Sequence, residues 1–151
     1  MLSTSCNRAL FIGIAVDSLK AHRRAWGQYM AYENRPYSPR REKIRECALK
    51  HAIVALTFSC NYIDAALACH CRARLGHNFS ETMVYETRLQ VLGFNDVQLL
   101  KDVKKIHIAL RELEREKELE LHHKPNKLYA KQNEVKNSVA TATRVRSLLQ
   151  D

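Results

Sequence analysis

The chain is predicted to be all-α, a single-domain antiparallel bundle of about five helices. Four glycines and three prolines in 151 residues leave few places to turn. Apolar residues recur at three- and four-residue steps, and strand-like alternation is missing. A chain of this length can bury one core without disulfides or metal.

The first helix is expected over residues 5–32. Leu10, Phe11, Ile14, Leu19, Ala25, Trp26, Tyr29 and Met30 approximate one face, with Lys20, Arg23 and Arg24 largely on the other. At helical spacing Trp26 reads as a core anchor before it reads as a base-stacking platform. Pro36 and Pro39 then break the chain, Ser38 can cap the next helix, and Arg35, Arg40 and Arg41 make this the most exposed cationic loop.

Residues 39–74 form the spine. Between Ala52 and Leu67 nearly every side of the helix is small or apolar, so other helices should cover it from several directions. Lys50, His51, Asn61 and Asp64 interrupt it, which favours a core helix over a membrane span. Asn61 and Asp64 are candidates for a polar core, because a carboxylate on a mostly buried helix needs a partner; an Asp64 on the one wet strip of the helix fits the sequence equally well.

Gly76 supplies a stop, and Asn78 with Glu81 has the form of a capping box for a short helix over 79–92, ended by Gly93. Asn95 with Gln98 repeats that form and opens a helix over 96–122. Its stripe is Val97, Leu100, Val103, Ile106, His107, Leu110 and Leu113. A last helix over 127–149 has a weaker stripe of Leu128, Val135, Val139, Ala142, Val145 and Leu148 or Leu149, which suits either a fraying helix or one that docks on a second protomer.

Cys6, Cys47, Cys60, Cys69 and Cys71 are odd in number and mostly on the spine, where they read as buried thiols in a reducing compartment. Cys69, His70, Cys71 and His77 lack the spacing of a zinc site, so no metal and no cofactor is expected. The apolar run Ala9 to Val16 is short for a signal segment and continues into an amphipathic pattern, so a cytoplasmic location is expected.

The net charge is +9. Its excess gathers in two regions, over residues 20–45 and 124–149, around a nearly neutral middle. Such clusters attract polyanions, with Arg23, Arg24, Arg35, Arg40, Arg41, Lys124 and Lys127 as candidate nucleic-acid contacts. A solvated surface accounts for the same charges. Glycine-rich phosphate loops, Gly-x-Ser-x-Gly elbows and paired-histidine zinc helices are missing from the sequence.

Near the end of the fourth helix the chain reads Arg-Glu-Lys-Glu-Leu-Glu-Leu-His-His-Lys-Pro over residues 115–125. This segment resembles the late motif of HEPN domains, in which an arginine is followed by a histidine just before a break. The spine, with Asn61 and Asp64, resembles the second main helix of that family. Arg115 and His122 lie two helical turns apart, so both would project from one face, arginine holding a phosphate while histidine moves a proton.

The resemblance implies a HEPN-like RNA-binding protein, in its active form a metal-independent endoribonuclease of a toxin or antiphage-defence type. It also implies a homodimer in which two motifs meet across a basic cleft, with an antitoxin as a candidate protein partner and no membrane. The same loose pattern occurs at Arg45 with His51 and at Arg72 with His77, and Lys117 is another partner for His122. A non-catalytic helical adaptor with a basic surface fits the helices and charges equally well. A DNA-binding reading lacks a helix pair joined by a tight turn.

Overall fold

A computed structural model describes the backbone of residues 4–32, 35–118 and 125–150, with side chains over 7–32, 35–115 and 132–150. It builds α1 (Thr4–Met30), α2 (Pro39–Leu75), α3 (Tyr85–Val91), α4 (Val97–Glu118) and α5 (Pro125–Leu149), with a 3₁₀ turn at Gly76–Asn78. Among the described residues there is no strand, and the architecture is an all-α helical bundle.

The long helix α2 begins where the sequence provides for it. Ser38 is extended, its hydroxyl accepts the Arg41 N–H at 3.2 Å, and Pro39 occupies the first turn. At the far end Gly76 takes φ +56°, a conformation that favours glycine. In between, Ala48, Ala52, Ala55 and Ala66 are fully buried. These small side chains let neighbouring helices approach closely.

Helix α1 runs antiparallel to α2, with Phe11 against Phe58 at one end and His22 bonded to the Ala48 carbonyl towards the other. Helices α4 and α5 cover further faces of α2 and run antiparallel to each other, since Arg144 of α5 pairs with Asp96 and Asp102 at the start of α4. Leu56, Tyr62, Ile63, Leu67, Leu99, Val103, Leu113, Val135 and Val145 fill the common core. By length and composition α2 could cross a membrane, with a mean hydropathy of 1.5 over its most apolar window, half of which is buried inside the bundle.

Several details correct the sequence reading. Helix α3 starts at Tyr85 rather than at 79, and Asn78 with Glu81 forms no capping box. Val84 stands at its N-cap without a side-chain bond. The Glu81 carboxylate instead pairs with Arg72, and the Glu81 and Met83 carbonyls accept from the Arg88 guanidinium, which holds this stretch as a turn. Helix α4 is capped by Asp96, not Asn95: the Asp96 carboxylate accepts the Gln98 and Leu99 N–H groups. Those bonds, the Leu99 N–H above all, hold its carboxyl below the usual range.

Leu10 and Val97 are exposed rather than on the buried stripes, and of Leu148 and Leu149 it is Leu149 that packs against the core. Cys47 is exposed, whereas Cys60 and Cys71 are buried. Burial raises the Cys60 thiol to about 12, with Asp64 and Glu114 adding to the effect.

Candidate functional site

Asp64 sits on α2 one helical turn beyond Asn61, at the edge of the spine. Its Oδ1 accepts the Tyr85 hydroxyl at 2.5 Å, and the same phenol oxygen lies 2.7 Å from Nε2 of His107. The phenol has one proton, and that goes to Asp64. His107 must therefore donate Nε2–H to the tyrosine oxygen. Tyr85 and His107 are stacked with centroids 5.1 Å apart. The chain Asp64, Tyr85, His107 thus ties α2, α3 and α4 together through side chains.

Burial is the first cause that moves these groups. It raises the Tyr85 phenol, helped by its bond to Asp64, so the hydroxyl stays protonated. Burial also lowers His107, against the pull of Asp64 and with the push of Arg111, which favours the neutral ring near pH 7.

Arg88 lies beside this chain, 8% exposed. Its Nε donates to the Met83 carbonyl at 3.0 Å and its Nη2 to the Glu81 carbonyl at 2.8 Å. Its Nη1 is 3.8 Å from the Asp64 carboxylate, an ion pair too long for a hydrogen bond. The guanidinium also lies near the Phe79 and Tyr85 rings, at 5.7 and 5.9 Å. Asp64, Tyr85 and Arg88, with Phe11, Asn61, Ala65, Ala68, Val84 and Lys104, line an open cleft of about 1010 Å³. That is the size of the larger small-molecule clefts.

A second place of interest is the turn between α1 and α2. There Trp26 and Tyr29 are buried in a small cluster with Met30, Ile44 and Leu49. The cations above it are exposed: Arg23, Arg24, Arg35 and Arg40 all face solvent. Arg35 lies 5.1 Å from the Tyr32 ring centroid and Arg41 5.1 Å from that of Tyr29. Between Arg35 and Arg40, Tyr37 is 76% exposed. Arg41, expected in the exposed loop, is half-buried over its ring because cation–π contact and the cap of α2 draw it inward.

The structure therefore brings together Arg23, Arg24, Arg35, Arg40 and Arg41 at one end of the α1–α2 pair. Arg115 is exposed on the last described turns of α4. His122, Lys124 and the side chain of Lys127 lie outside the described residues. The arginines of the two competing pairs are held by carboxylates, Arg45 by Glu42 and Arg72 by Glu81. Asn61 is exposed and belongs to the cleft wall, not to a polar core; the helices packed on α2 leave that strip open.

Sequence reasoning missed Tyr85 and Arg88 and placed His107 only as a stripe residue. The signal was available in part. A carboxylate on the spine demands a cation, and Arg88 is the cation of the short helix α3. His22 was missed entirely: it is fully buried, its Nδ1–H donates to the Ala48 carbonyl at 2.8 Å, and its Nε2 has no hydrogen-bond partner among the described residues. Burial lowers its pKa although the backbone bond acts to raise it.

No family model, curated protein or solved structure matches the chain.

Proposed function

We propose that the protein is a HEPN-like RNA-binding protein that engages single-stranded RNA through the α1–α2 turn. The observation that carries this reading is Tyr37, a solvent-facing ring set between Arg35 and Arg40, with Arg23 and Arg24 on the same end of the helix pair. Guanidinium groups follow the phosphates, and an exposed ring accepts any base by its face. The net charge of +9 supplies the long-range attraction.

The catalytic arm of the proposal is metal-independent cleavage by Arg115 and His122. Arginine would hold the scissile phosphate while histidine takes the proton from the ribose 2′-OH. A 2′-O–P bond forms, the P–O5′ bond breaks, and the departing oxygen takes a proton from solvent. The reading rests on the resemblance of residues 115–125 and on the exposure of Arg115.

Two measurements test the two arms separately. Anisotropy with a labelled single-stranded RNA should show affinity that falls steeply with salt and drops about tenfold in Tyr37→Ala. Salt-independent binding, or full affinity in that variant, removes the turn as the RNA surface. Incubation of RNA with EDTA, beside His122→Ala, should give fragments with the wild type alone. Intact RNA in both tubes removes the nuclease and leaves a binding protein; fragments in both remove the site assignment.

A further inference from the structure

The cleft at Asp64 is built differently from the turn, and its polar groups are set out in a way that selects a ligand. Asp64 is half-exposed. Its Oδ1 is oriented by the Tyr85 hydroxyl, while its Oδ2 has no partner among the described residues. Next to it Nη1 of Arg88 is the one guanidinium nitrogen of that side chain not bonded to a carbonyl. The cleft thus offers a carboxylate acceptor beside a buried cationic donor, and Asn61 adds an amide that can serve as either.

A cationic ligand would meet Arg88 and Lys104, and an anionic one would meet Asp64, with Glu81 and Glu86 also on the wall. The arrangement suits a neutral edge that carries donors next to an acceptor. Ala65, Ala68 and Phe11 present apolar surface beside these groups, which suits a flat ring.

We infer that this cleft binds a guanine base. Guanine's ring N1–H and exocyclic N2–H form the paired donors that a carboxylate accepts, and O6 beside them accepts from Arg88 or Asn61. Adenine and cytosine would turn a ring nitrogen lone pair towards the carboxylate. Uracil and hypoxanthine offer a single ring donor. The base is the recognised element, whether it arrives as a free nucleoside or nucleotide or within a single-stranded RNA. The inference stands apart from RNA binding at the α1–α2 turn, because a nucleoside has no phosphate for those arginines to hold.

Titration of the full chain with guanosine, adenosine, cytidine, uridine and inosine, followed by calorimetry and by amide NMR shifts, tests it. Guanosine should bind, with little dependence on salt and with shifts at residues 61–68 and 85–88. Inosine, which lacks the N2 amine, should bind at least about fivefold more weakly, and the other three weaker still. Asp64→Asn should weaken guanosine at least about tenfold. Asn61→Ala, at an exposed position away from the ion pair, should weaken it severalfold in a chain whose thermal unfolding is unchanged.

Competition with short RNAs that contain or lack guanine separates the sources. Displacement by the guanine-containing strand alone assigns the cleft to RNA, and displacement only by mononucleotides assigns it to free nucleotides. No binding of guanosine, equal binding of all five nucleosides, or full affinity in Asp64→Asn overturns the inference. None of those results touches the salt-dependent affinity measured through Tyr37.

Discussion

Arginine meets tyrosine at two places along α2, and the two meetings differ in what holds the cation. At the α1–α2 turn, Arg35 and Arg41 lie over Tyr32 and Tyr29, and Arg35 and Arg40 remain open to water. At the cleft, Arg88 approaches Tyr85 but is committed to two carbonyls and a carboxylate, and is almost wholly buried. The first arrangement is free to adapt to a phosphate chain at little conformational expense. The second keeps a turn of backbone in place and gives a rigid wall to a cavity. The same pair of residue types is thus left open to solvent in one place and built into a turn of backbone in the other.

The largest expected difference is in stability. Arg88→Ala should lower the free energy of unfolding by about 2 kcal/mol, since the hydrogen bonds from a charged donor to two carbonyls disappear. Arg35→Ala should change it by less than about 0.5 kcal/mol. Urea titrations of both variants decide this, and equal midpoints would erase the contrast. Function should divide the other way. Replacing Arg35 and Arg40 together by Glu should reduce RNA affinity at least about tenfold and lower the salt slope by about one for each phosphate no longer held. Retained affinity and slope in anisotropy would mean that the turn is a solvated surface and nothing more.

Tyr85→Phe keeps the ring and removes the hydroxyl between Asp64 and His107. A loss of about 1 kcal/mol is expected, because His107 then has a half-buried donor without its acceptor. A variant as stable as the wild type would make the chain of three groups energetically idle. The smallest effect concerns acid. His22 and His107 both have folded pKa values below 6.5, so below that pH the unfolded chain takes up protons that the folded one resists. Stability should therefore fall as pH drops through 6.5 towards those lower values. His22→Gln keeps a donor for the Ala48 carbonyl and should flatten part of the slope. Parallel curves for wild type and variant between pH 7.5 and 5.5 would show that His22 does not contribute.

Much of the bundle could be read from periodicity because burial here follows helix faces. Ser38, Pro39 and Gly76 bound α2 by local chemistry, and their roles do not depend on distant parts of the chain. The start of α3 could not be read in the same way. Asn78 and Glu81 satisfy the pattern of a capping box, but Arg72 and Arg88 draw Glu81 into other bonds, and both partners are set by tertiary packing. The turn's arginines were visible as a charge cluster. The cleft was not, because its members come from α2, α3 and α4 and share no spacing; only the unexplained Asp64 pointed towards it.

Helix α2 also acts as a ruler. Arg40 stands at its beginning and Asp64 twenty-four residues along it, so at about 1.5 Å per residue the two lie roughly 36 Å apart along the axis. A dinucleotide cannot touch both, and a mononucleotide in the cleft leaves the arginine turn vacant. Only a longer strand could register on both marks, so occupancy of the pair would report the length of the RNA as well as its composition.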